Sequence, residues 1–296
     1  MKSIQPSALM TFLLLAFCPL FAADQLYTIK MKRAFLPGSR YSITVLAKEN
    51  MNMTITAAGD GSILKQNINE KHVSLEATAQ VLEVSPTGTV TSCLYIIKKC
   101  NDLTKGVDSS MLPRDTRVNA RLEEKKTVFY IDDKPVEEKT GALLSSVIHL
   151  DSENENADAL YGTDKKVKIG EKWDIDTVKV AENLSNDSLH IDEKDLEGNA
   201  FIRTSLQKSG LDCMEIICEM NIKFLNFSFP ETINVEHSSA SIYSSSIYPV
   251  DLNKNCMEDL LQMSYSMNAA GKWNEDYPDV KINASAAMSK KTEYSY

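Results

Sequence analysis

The stretch His72-Val-Ser-Leu-Glu-Ala-Thr-Ala-Gln-Val-Leu-Glu-Val84 decides the fold class. Val73, Leu75, Ala77, Ala79 and Val81 alternate with Ser74, Glu76, Thr78, Gln80 and Leu82. Successive side chains of a strand point to opposite faces, so this pattern gives a strand with one apolar face and one mostly polar face. The same alternation runs through Tyr41-Ser-Ile43-Thr-Val45 and Met51-Asn-Met53-Thr-Ile55-Thr56. Thr87-Gly88 turns the chain into a strand from Val90 to Lys98. Val118 to Leu122 and Thr127 to Ile131 predict a hairpin, followed by the polar turn Asp132-Asp133-Lys134-Pro135. Ala200 to Leu206, Cys213 to Ile222 and Ser241 to Val250 add further strands.

Helical signals are fewer. Leu143 to Leu150 is short enough to be either type, and Glu153 to Leu160 allows two turns capped by Asp151 or Ser152. Cys256 to Met267 is the strongest helical candidate, with Met257, Leu260, Leu261 and Ser264 near one face and Asn253 as its cap. The expected fold is mainly β: curved antiparallel sheets forming a sandwich or open barrel, with one or two minor helices.

The chain opens with Lys2, then the apolar run Leu9 to Ala23, then charged sequence from Asp24. This is the layout of a secretory signal peptide over residues 1–23. Cys18 sits between Phe17 and Pro19, a poor context for lipidation. No later run reaches the roughly 20 apolar residues of a membrane-spanning helix. An exported protein with no transmembrane segment in its mature chain is expected, periplasmic or extracellular.

The full chain has 296 residues and a net charge of −9, and removal of Lys2 makes it more acidic still. That excludes the basic stripe a nucleic-acid partner requires. Cys93, Cys100, Cys213, Cys218 and Cys256 remain after export, an odd number. Buried free thiols and one or two bridges both fit. In a regular strand the odd spacings of Cys93 to Cys100 and Cys213 to Cys218 place each pair on opposite faces. A bridge would therefore join the two regions, as in Cys93 to Cys213.

Two segments echo one another. Leu36-Pro-Gly38-Ser-Arg-Tyr41-Ser-Ile-Thr-Val45 and Val167-Lys-Ile169-Gly170-Glu-Lys-Trp173-Asp-Ile175-Asp176 each place a glycine turn three residues before an aromatic that opens an alternating strand. Ala270-Gly271-Lys272-Trp273 is a weaker copy. The echo predicts a β-rich first half over 24–150, an acidic linker over 151–164 and a β-rich second half over 165–296. The same two segments resemble uncharacterised, secreted, β-rich envelope proteins of Gram-negative bacteria. That resemblance implies an envelope location and assigns no activity and no catalytic residue.

Local signatures of catalysis are absent. His72, His149, His190 and His237 lack metal-ligand spacing, and there is no HExxH, CxxC or GxSxG. No cofactor is expected. Trp173 and Trp273 are the candidate aromatics, as core anchors or as ligand-stacking surfaces. The expected function is noncatalytic: binding of a protein partner or an apolar ligand on a curved sheet. The alternative is a secreted hydrolase whose carboxylates are brought together by the fold.

Overall fold

Alternation becomes strand along most of the chain. A computed structural model describes residues 25–106, 108–151, 156–272 and 279–296. The first half contains β1 (Arg40–Ala57), β2 (Ile63–Val84), β3 (Val90–Asp102), β4 (Ser109–Ser110), β5 (Arg117–Glu123), β6 (Lys126–Ile131) and β7 (Lys134–Pro135). Two helices follow, α1 (Glu138–Val147) and α2 (Ala157–Tyr161). The second half contains β8 (Lys172–Asp174), α3 (Thr177–Leu184), β9 (Leu189–His190), β10 (Leu196–Lys208), β11 (Leu211–Ile222), β12 (Asn226–Phe227), β13 (Ile233–Pro249), β14 (Glu258–Gly271) and β15 (Val280–Ser295).

Thirteen of these strands form one curved antiparallel sheet that does not close into a barrel. Its order is β7-β6-β5-β3-β2-β1-β15-β14-β13-β11-β10-β8, with β4 on β3, while β9 and β12 pair apart. The chain starts at the centre, meanders to one edge, crosses to the other, and meanders back. Its last strand then pairs with its first, from Ser42 opposite Ser295 to Ala57 opposite Val280. The two halves are therefore one continuous sheet.

The apolar register buries two large clusters. One joins β1, β2, β3, β5 and β6 under α1, and contains Val45, Leu75, Val81, Ile97, Val118 and Leu144. The other joins β8, β10, β11 and β13 with α2, α3 and the N-terminal segment, and contains Tyr27, Leu160, Trp173, Val180, Ile202 and Met214. A smaller one lies around Ile55, Met267 and Ile282.

Several expectations need correction. Cys256 to Met267 is not a helix: Glu258–Gly271 is β14. Leu261, Met263, Tyr265 and Met267 follow period two, and that face outweighs the helical spacing of Met257, Leu260, Leu261 and Ser264. Conversely, the alternating strand expected to open at Trp173 stops at Asp174. Asp176 accepts a hydrogen bond from the Lys179 amide at 3.1 Å, which caps α3 and leaves Val178 on its exposed side. The linker is structured in part, because α2 buries Leu160 in the second core, with Asn156 as its cap. The N-terminal segment also crosses the expected boundary: Tyr27 bridges to Val167. The signal peptide and Trp273 lie outside the described residues.

Candidate functional site

A charged residue in the apolar register of a strand must find a partner or a cavity. Two such residues occur side by side. On one face of β14 stand Asp259, Leu261, Met263, Tyr265 and Met267. Opposite them on β15 stand Thr292, Lys290, Met288, Ala286 and Ala284. Asp259 and Lys290 are thus diagonal neighbours on a face that is otherwise apolar or hydroxylic.

One end of that face, with Asp259, Leu261, Lys290 and Thr292, is the floor of a cavity of about 430 Å³ between the two large cores. Tyr41, Ile43 and Tyr95 line it from the first half, and Tyr248, Leu261 and Tyr294 from the second. The roof comes from residues 31–35 and from the chain leaving α1, including Val147, His149 and Asp151. His149 and Asp151 face each other at 3.7 Å. The volume falls within the range of small-molecule sites, about 300–1,000 Å³.

The roof is fastened by its own polar groups. Asp158 on α2 accepts hydrogen bonds from the amides of Met31 at 2.5 Å and Lys32 at 3.2 Å. Arg33 is buried, and donates to the carbonyls of Lys30, Asp251, Lys254 and Pro249 at 2.6–3.2 Å. Its guanidinium also stacks over Tyr248 at 5.3 Å. Burial lowers its pKa, but an arginine stays charged, and four carbonyls spread that charge.

Electrostatics inside the cavity favour neutral forms. Burial raises the pKa of Asp259, opposed by the Ser246 hydroxyl donating at 2.5 Å and by the charge of Lys290. Burial lowers that of Lys290, opposed by Asp259 and Asp151. Lys290 makes no hydrogen bond among the described residues, and Asp259 and Asp151 act on its ammonium only through their charge. Burial pushes Tyr41, Tyr95, Tyr248, Tyr294 and Tyr296 upward, which makes them hydrogen-bonding groups rather than bases. Tyr41 gathers Phe35, Tyr294 and Tyr296 at ring distances of 5.6–5.9 Å. The Tyr296 hydroxyl donates to the Cys256 carbonyl at 2.9 Å.

The residues singled out from sequence lie elsewhere. Trp173 is in the second core, 9% exposed, and its indole donates to the Tyr161 carbonyl at 2.8 Å. Cys93 and Cys213 do not approach one another, which corrects the expected bridge. They sit on β3 and β11 with five strands between them. All five described cysteines are free. Face parity also needs correction at Cys100. The β2–β3 register passes from Glu76 opposite Lys99 to Ala77 opposite Ile97, which leaves Lys98 as a bulge. Cys93 and Cys100 therefore share the first core, though seven residues along one strand keep them far beyond disulfide reach. Cys213 and Cys218 do fall on opposite faces: Cys218 is in the second core, whereas the Cys213 thiol contacts Met257 sulfur at 3.8 Å.

Sequence reasoning passed over Arg33, Asp259 and Lys290. The signal for the last two was parity. Asp259 falls in step with Leu261, Met263 and Tyr265, and Lys290 in step with Ile282, Ala284 and Met288. Reading β14 as a helix hid it. A larger, more open concavity of about 950 Å³ lies near mid-sheet, lined by Asn50, Asn52, Ser239, Ser241, Ser264 and Ser266 among others. Its hydroxyls bond each other, Ser241 to Ser264 at 2.9 Å and Ser239 to Ser266 at 3.3 Å.

No protein-family profile and no curated protein matches the chain. Solved structures give distant likenesses. Lipovitellin, studied for its lipid–protein interactions, aligns at 8% identity and a TM-score of 0.31 over 86% of this chain, and this chain spans 25% of it. An outer membrane channel from Pseudomonas putida F1 aligns at 8% identity and a TM-score of 0.18, covering 88% of this chain and 97% of that one. A loop-deleted OmpT, an outer membrane protein of Vibrio cholerae, gives 9% identity and 0.18, covering 88% and 100%. Likenesses at these scores carry no argument about the fold or the function.

Proposed function

We propose that this is a noncatalytic exported protein that encloses a small apolar ligand in the tyrosine-lined cavity between its two cores. The observation that carries the reading is the cavity itself. A space of about 430 Å³ remains where a curved sheet would otherwise close on its own side chains. Its aromatic wall offers contact area, and its few polar groups offer orientation. The periplasmic or extracellular location, and kinship with β-rich envelope proteins of Gram-negative bacteria, belong to this proposal; the leader-like start of the chain and the glycine–aromatic segments support them.

N-phenylnaphthylamine, a neutral dye that fluoresces in apolar surroundings, tests the reading. It should brighten with the wild-type protein and saturate. Leu261→Trp, which fills the cavity from its floor, should abolish the signal without unfolding the sheet. Equal brightening with both proteins would move the binding surface elsewhere.

The hydrolase alternative draws on one observation: Asp259 and Asp151 line the same cavity, and burial raises the pKa of Asp259. Asp259 is already engaged by Ser246, and Tyr248 and Tyr294 stand close enough to feel its charge. Turnover of chromogenic esters or glycosides by wild type, lost in Asp259→Asn, would establish this alternative.

A further inference from the structure

Resting on the cavity reading above, we infer that the ligand is an amphipathic monocarboxylate whose head group pairs with Lys290 and whose apolar body lies against Tyr41, Tyr294 and Leu261. The floor strand β15 holds Lys290 directly opposite Leu261 on β14 and Ala47 on β1, where the alternation otherwise places apolar side chains. An ammonium carries three donors, and at Lys290 none makes a hydrogen bond among the described residues; Asp259 and Asp151 act on it only through their charge. Lys290 is half-buried, and its ammonium is available to an acceptor that enters the cavity. Arg33, the buried cation of the wall, has little such capacity, because four carbonyls already take four of its five N–H donors.

Charge selects the ligand class. The whole chain carries −9, yet Lys32, Arg33 and Lys290 line this cavity against Asp151 and Asp259. Counted over side chains, with His149 neutral, the excess is one positive charge. One ammonium with a carboxylate beside it suits a monoanion and not a dianion, and a phosphate would call for a free guanidinium fork that the cavity lacks. The aromatic wall then favours an aliphatic or aromatic body over a polar one.

Competition against bound N-phenylnaphthylamine tests this, with dodecanoic acid and dodecanol as a pair that differs only at the head. The acid should displace the dye from wild type at a concentration at least about tenfold lower than the alcohol, the equivalent of one charge-assisted contact. Lys290→Met should erase that preference while still binding the dye, and Lys290→Arg should keep it. Equal displacement by acid and alcohol in wild type would overturn the monocarboxylate assignment and leave the cavity reading standing. A preference that survives in Lys290→Met would overturn the role of Lys290. Failure of the dye to enter the wild-type cavity would overturn both.

Discussion

The turns at Gly38 and Gly170 share one local design and meet different fates. Each glycine has a left-handed backbone, φ +85° and φ +80°. Each is followed three residues later by a buried aromatic, Tyr41 or Trp173, and then by a buried isoleucine, Ile43 or Ile175. Tyr41 opens an 18-residue strand at the sheet's centre and reaches the cavity. Trp173 sits in a three-residue strand at the sheet's edge and is enclosed by the second core. A local signal can thus set a turn and a buried ring, but the position of the strand in the sheet decides whether that ring borders a cavity or fills a core.

Truncation separates the two roles. Trp173→Ala should cost about 3–5 kcal/mol in urea unfolding, because a filled core site collapses only in part. Trp173→Phe should cost much less, chiefly the indole bond to Tyr161. Tyr41→Ala should lose less stability than Trp173→Ala and should weaken dye binding, which Trp173→Phe leaves intact. A melting temperature of Trp173→Ala close to wild type would break the contrast.

Arg33→Met comes next in size. It leaves four carbonyls without their donor and should cost about 3 kcal/mol. Arg33→Lys should recover little, since an ammonium cannot match the spread of those acceptors. If lysine restores full stability, the roof is fastened mainly by Asp158.

Gly38→Ala and Gly170→Ala should each cost about 1–2 kcal/mol, and similar amounts. An added Cβ meets nothing within 4 Å at either site, so backbone strain alone acts. Unequal costs would show that the two turns are not equivalent.

The smallest effects are those of the cavity charges. Lys290→Met should raise stability by under about 1 kcal/mol at neutral pH, since burial disfavours its charged form. For Asp259 the folded-state pKa is raised, so ionisation costs stability above that value and the cost is relieved as pH falls through it. Asp259→Asn should therefore be the more stable protein at neutral pH. Its advantage should shrink as the solution is acidified toward the ordinary carboxylate pKa of about 3.9. An advantage that grows on acidification would reverse the sign assigned to Asp259.

The alternation of β2, the hairpin of β5 and β6, the turns at Gly38 and Gly170, and hence the mainly β class, are legible in the order of residues. Each of these depends on residues a few positions apart, whose geometry is local. The pairing of β15 with β1, which joins both halves in one sheet, comes from long-range packing. So does the bulge at Lys98 that returns Cys100 to the face of Cys93. The cavity belongs to the same class of facts, since residues 31–35, the chain after α1, and strands from both halves meet there only once register is fixed. Register is set by which long-range pairing buries the most apolar surface, and a one-residue slip would turn Asp259 and Lys290 outward into water. Parity with neighbouring apolar residues places Asp259 and Lys290 on one face, but which strand pairs with which is not written in the chain near either residue.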